Sequence, residues 1–95
     1  MKRLRHRSLR PSPDAVVSRH DDGLVLLQLS RGRVFSMNRT AACVWRYVEQ
    51  HLSEDDIAAA FCREYGLPTE RARQHTVKLL DELSRHGLVI AGTGR

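Results

Sequence analysis

Residues 22–38 read DGLVLLQLSRGRVFSMN, a segment that contains two strands and the turn between them. Leu24-Val25-Leu26-Leu27-Gln28-Leu29 is a short, nearly continuous apolar run, the pattern of a strand in contact on more than one face. Ser30-Arg31-Gly32 ends it, with Gly32 able to take the positive φ that tight turns demand. Arg33-Val34-Phe35-Ser36-Met37 follows as the next strand. Side chains alternate across a strand, so Phe35 and Met37 share one face and Val34 and Ser36 the other. The larger pair is expected to face the helices.

Upstream, Asp21-Asp22-Gly23 supplies the Asp-Gly pair of a hairpin, which makes Ala15-Val16-Val17-Ser18-Arg19 the first strand of a meander. Pro11-Ser12-Pro13 lies before it. Each proline removes a backbone donor and restricts its predecessor, so the ordered domain is expected to begin at residue 14, with residues 1–13 as a flexible basic tail. Downstream, Asn38 is a good N-cap for a helix reaching to about Leu52, with Ala41, Trp45, Val48 and Leu52 as its apolar stripe. Ser53 caps a second helix, and Glu54-Asp55-Asp56 suits the positive end of its dipole. Ile57, Phe61 and Tyr65 mark its stripe.

Gly66 stops that helix and Pro68 fits the first turn of a third, for which both Leu67 and Thr69 are candidate caps. From Glu70 to His86 the spacing Ala72, Thr76, Leu79, Leu83 gives one stripe, and Val77 with Leu80 widens it enough to touch two neighbours. His86-Gly87-Leu88 has the form of a Schellman ending, with Leu88 folding back on Leu83. Val89-Ile90 adds a short contact, and residues 91–95 are expected to fray. The expected fold is α+β and winged helix-turn-helix-like: a three-stranded antiparallel sheet followed by three helices, in one domain over residues 14–90.

The chain has 95 residues and a formal charge of +5. Lys2, Arg3, Arg5, Arg7 and Arg10 account for all of that charge, because residues 14–95 hold equal numbers of basic and acidic side chains. The chain beyond the basic start is therefore formally neutral. No apolar run of secretory or membrane-spanning length follows the basic start, so a cytoplasmic protein is expected. Cys43 and Cys62 form neither a CxxC pair nor a disulfide framework, and both read as reduced packing residues.

Catalysis would need a nucleophile beside a base, paired carboxylates in apolar surroundings, or a glycine-rich phosphate cradle, and none of these is present. His6, His20, His51, His75 and His86 are scattered singly, without the spacing of a zinc site. Asp81-Glu82 are neighbours in sequence but point about 100° apart on a helix. The expectation is a protein that is not an enzyme and has no cofactor and no metal. A winged-helix DNA-binding regulator is the alternative. Against it, the third helix sets Arg71, Arg73, Lys78 and Arg85 beside Glu70, Asp81 and Glu82, a balance poorly suited to neutralising phosphates. No specific nucleic acid and no membrane partner is expected.

The third strand offers a positive signal. As an edge of the meander it presents unpaired N–H and C=O groups, which accept an extended peptide as an added strand. Backbone pairing along Arg33 to Met37 would give affinity, and pockets between Phe35 or Met37 and Val77 or Leu80 would give side-chain preference, with Arg73, Asp81 and Ser84 as a polar rim. The competing reading makes Val77 and Leu80 plain core.

Asp22-Gly23-Leu24-Val25-Leu26-Leu27, Arg31 through Asn38, Ala42 and Trp45, and Leu79-Leu80-Asp81-Glu82-Leu83 with Gly87-Leu88-Val89 together resemble the PqqD-like family, over about residues 14–90. The resemblance implies a recognition element for ribosomally made, post-translationally modified peptides (a RiPP recognition element), in which a leader peptide adds to the third strand against the third helix. It implies contacts on Arg33, Val34, Phe35, Ser36 and Met37, and on Arg73, Val77, Leu80, Asp81 and Ser84. The layout is similar to free-standing leader-binding proteins of lasso-peptide clusters, which implies a precursor peptide and a separate leader peptidase as partners. A radical-SAM enzyme, as in PQQ synthesis, is the next choice. A monomer is expected, with a dimer in the absence of ligand as the alternative.

Overall fold

A computed structural model describes residues 7–92. Its elements are β1 (Leu9–Pro11), β2 (Ala15–His20), β3 (Gly23–Gln28), β4 (Arg33–Asn38), α1 (Arg39–Glu49), α2 (Glu54–Tyr65), α3 (Thr69–Arg85) and β5 (Val89–Ala91). The expected meander is present as an antiparallel sheet of order β2-β3-β4, followed by the three expected helices. Gly23 sits where a side chain cannot: a Cβ there would lie 2.0 Å from the Met37 carbonyl oxygen, so the β3–β4 backbones close up only around glycine.

The inner face of the sheet is set by alternation. Leu24 and Leu26 of β3 and Met37 of β4 are buried and meet Val44, Trp45 and Val48 of α1. Ile57 and Phe61 of α2 and Ala72, Leu80 and Leu83 of α3 join the same core, as do Leu9, Leu88 and Val89. Trp45 is fully buried, and its indole N–H donates to Glu49 at 3.1 Å. Glu49 also accepts from Arg19 of β2, which ties the far strand to α1. At the other end of the sheet, the Gln28 side-chain amide donates to the His86 carbonyl at 2.9 Å and anchors β3 to the end of α3.

The helix boundaries follow local chemistry. Asn38 accepts from the Ala41 N–H and Ser53 from the Asp56 N–H, as N-caps do. The third helix starts instead from Pro68, with no side-chain cap. The first helix stops at Glu49 rather than near Leu52, because His51 takes a left-handed conformation at φ 65°. Tyr65 is exposed rather than part of the core stripe. At the end of α3 the Leu88 N–H reaches the Leu83 carbonyl and the Gly87 N–H that of Ser84, the two bonds of a Schellman motif, with Gly87 at φ 73°.

The two ends of the domain also differ from expectation. Residues 7–13 are not a flexible tail in this structure: Leu9 is buried, and β1 pairs antiparallel with β5. The reason is long-range. Arg7 donates from Nε to Glu54 at 2.7 Å and from Nη2 to Asp81 at 2.9 Å, while the Arg7 carbonyl accepts from the Glu54 N–H. The prolines do not prevent this, since Ser12 between them donates its N–H to the Leu88 carbonyl. Likewise Ala91 belongs to β5, and the Gly92 N–H bonds the Ser8 carbonyl, so residues 91 and 92 are held rather than frayed. The remaining expectations for residues 1–6 and 93–95 lie outside the described residues.

Candidate functional site

The β4 strand pairs with β3 on one side, and among the described residues no strand pairs with its other side. The register tells which backbone groups are free. The Leu29 N–H bonds the Asp14 carbonyl, which makes 14 and 29 a hydrogen-bonded pair in line with the β2–β3 ladder. Such pairs alternate along an antiparallel ladder, so Gly23, Val25 and Leu27 bond toward β2, and Leu24, Leu26 and Gln28 bond toward β4. Their partners Met37, Phe35 and Arg33 are thereby engaged. The N–H and C=O groups of Val34 and Ser36 consequently point away from β3, onto the open edge. Val34 is 64 % exposed, the most exposed large apolar side chain among the described residues.

What lies beside that edge is decided by α3. At about 100° per residue, its core stripe Ala72, Thr76, Leu80 and Leu83 has two flanks. One flank carries Arg73, Val77, Asp81 and Ser84, and it turns toward α2 and the N-terminal segment: Arg73 pairs with Asp55 at 3.2 Å and Asp81 with Arg7. The other flank carries His75, Leu79, Glu82 and, at the C-cap, His86. It is this flank that meets β4. The His86 ring stands 5.2 Å from that of Phe35. Toward the other end of β4, His75, Lys78, Leu79 and Glu82 close a concavity of about 390 Å³ with Asn38, Ala41, Val44 and Phe61. The strand and the end of the helix thus meet at Phe35 and His86, and past the end of β4 at Asn38 a concavity opens between α3, α1 and α2.

The structure therefore divides the ten expected contact residues. Arg33 to Met37 do form one edge strand, with Phe35 half-buried against α3 and Met37 in the core. Arg73, Val77, Asp81 and Ser84 are on the flank away from that edge, and Leu80 is wholly buried. The reading of Leu80 as core is the one the structure bears out. His75, Lys78, Glu82 and His86 take the place beside β4. Leu79 was visible as part of the apolar stripe, but the polar neighbours carried no local signal, because nothing in a helix sequence states which flank a distant strand will meet.

The other polar clusters do not assemble chemistry. Tyr47 donates to Glu64 at 2.6 Å, and Cys43 donates to the same oxygen. That hydrogen bond from Tyr47 holds the Glu64 carboxyl below its ordinary range and raises the Tyr47 phenol, while burial pushes the Cys43 thiol up. A thiol so raised is a poor nucleophile. Among the described residues no group of three His, Cys, Asp or Glu side chains is placed to hold a metal, and no helix is long and apolar enough to cross a membrane.

The family model for coenzyme PQQ synthesis protein D (PqqD) matches residues 23–89. Two solved structures share the fold. TbiB1 in complex with the TbiA(beta) leader peptide superposes with a TM-score of 0.80 at 23% identity, covering 90% of this chain and 98% of that one. A lasso peptide synthetase B1 complexed with the leader peptide superposes with a TM-score of 0.79 at 27% identity, covering 86% and 96%. No protein of curated function matches the chain at a significant level.

Proposed function

The chain belongs to the PqqD family, and from that premise we propose that it captures the leader segment of a ribosomally made precursor peptide as an added strand on β4 and presents it to a separate enzyme. The observation that carries this reading is the open edge of β4 running beside the groove-forming flank of α3. Val34 and Ser36 offer the backbone bonds, and the concavity between Leu79 and Phe61 offers a seat for an apolar leader side chain. Both structural relatives hold a leader peptide, and one is a lasso peptide synthetase B1. That relative favours a leader peptidase of lasso-peptide biosynthesis as the partner enzyme, ahead of a radical-SAM enzyme.

In this role binding is the whole activity. Holding the leader beside a partner enzyme raises the effective concentration of the bond to be cut or modified, without any reacting group on this chain. Titration of a labelled leader from a precursor encoded beside this gene tests the reading. Saturable binding that moves the amide resonances of Val34 and Ser36 is expected. Absence of saturable binding to every such leader would overturn it.

A further inference from the structure

We propose that the solvent-facing ridge of α3 reads acidic residues in the leader, with Arg71, Lys78 and Arg85 as the selecting side chains. The inference rests on leader capture in the adjoining groove. These residues are spaced by seven, and seven residues turn an α-helix to within about 20° of its starting direction, so they form one straight stripe. At 1.5 Å per residue the stripe is about 21 Å long, the reach of an extended peptide of roughly six or seven residues. All three side chains are exposed, and none makes an ion pair or side-chain hydrogen bond among the described residues.

The balance of charge that the α3 sequence shows is not the balance of this surface. Arg73 is held by Asp55 and Asp81 by Arg7, both on the opposite flank. That leaves three cations on the ridge, bordered by Glu82 and by Asp81, whose carboxylate Arg7 already engages. The ridge is also continuous with the groove: Arg71, His75 and Lys78 frame a shallow hollow of about 320 Å³, and His75 and Lys78 line the deeper concavity as well. A peptide seated on β4 with an apolar side chain in the concavity carries its neighbouring side chains to these cations. Carboxylates there meet unpaired positive charge. Three cations displace too few counterions to hold a nucleic acid tightly at physiological salt.

The test uses the full chain and, as probe, a displayed library of random peptides about 20 residues long, enough to cover strand and ridge. Peptides recovered by the wild type are expected to carry Asp or Glu beside an apolar anchor. A variant with Arg71→Gln, Lys78→Gln and Arg85→Gln should bind those peptides about tenfold more weakly, the sum of three exposed charge contacts. That difference should vanish in roughly 1 M salt, where the screening length falls to about 3 Å. Recovered peptides without acidic enrichment, or equal binding by the variant, would overturn the ridge proposal and leave leader capture standing. Recovery of no peptide at all would overturn leader capture and the ridge with it. Tighter retention of a random DNA duplex than of the acidic peptides, lost in the variant, would overturn the peptide assignment in favour of nucleic acid.

Discussion

The Phe35 ring of β4 stands 5.2 Å from the His86 imidazole at the end of α3, inclined at 48°. This contact fixes which flank of the helix the edge strand sees. Gln28 reinforces it from β3 by donating to the His86 carbonyl, so both strands are referred to the same turn of the chain. Beyond that reference point the concavity opens at Asn38, where His75, Lys78, Leu79 and Glu82 of α3 line it.

Val34→Pro separates the edge from the fold. The Val34 N–H points away from β3, so proline removes a donor that the sheet does not use. Leader affinity should fall about tenfold, the worth of roughly one hydrogen bond and the ring's obstruction of the incoming strand. The urea midpoint should be nearly unchanged. Calorimetry and urea unfolding on the same sample check both; a collapsed midpoint would mean that the register assigned to β4 is wrong.

The two flanks of α3 make opposite predictions. Leu79→Ser should weaken leader binding severalfold, since Leu79 lines the concavity beside β4. Val77→Ser, on the far flank, should cost stability without a specific loss of affinity. Comparing the two dissociation constants decides the flank directly, and a larger effect at Val77 would move the groove to the other side of the helix.

Arg7→Ala should destabilise the fold by about 2 kcal/mol, because it removes the 2.7 Å ion pair that Arg7 makes with the Glu54 carboxylate, which is only 2 % exposed. The half-exposed position of Arg7 keeps this below the cost of breaking a fully buried pair. For the same reason, a charge reversal at Asp81 should lower stability through Arg7 rather than act on binding alone. A double-mutant cycle of Arg7→Ala with Asp81→Asn, followed by urea unfolding, should give a coupling of a few tenths of a kcal/mol.

Glu64 links stability to pH. Its carboxyl is held low in the folded protein by the Tyr47 hydroxyl, so the stabilisation is complete above the unfolded carboxyl pKa. It is lost as the pH falls through the lower, folded pKa. The site is open to solvent, so the effect should amount to a few tenths of a kcal/mol. Tyr47→Phe should return the Glu64 carboxyl toward its ordinary range in an NMR titration and flatten the acid slope of the unfolding free energy.

Most of the local architecture could be read without coordinates. The apolar run at 24–29, the turn at 30–32, the Asn38 and Ser53 caps and the Gly87 ending all depend on neighbours within a few positions. For such features composition and spacing carry the physics. Alternation also placed Phe35 and Met37 on the inner face of β4, because a strand leaves its side chains no other choice.

The N-terminal strand and the working flank of α3 were different. Arg7 finds its partners 47 and 74 residues away, and no local pattern marks a cation as structural when its acids are that distant. In α3, Val77 and Leu79 border the same core stripe from opposite sides, so hydrophobic periodicity fits either flank equally well. The choice was made by what packs around the helix: Asp55 and Arg7 take one side, and Phe35 meets His86 on the other. The sequence by itself determined that an edge strand and an amphipathic helix would exist. Only tertiary packing decided which face of the helix that edge would meet, because the relation between two elements is set by contacts that neither contains.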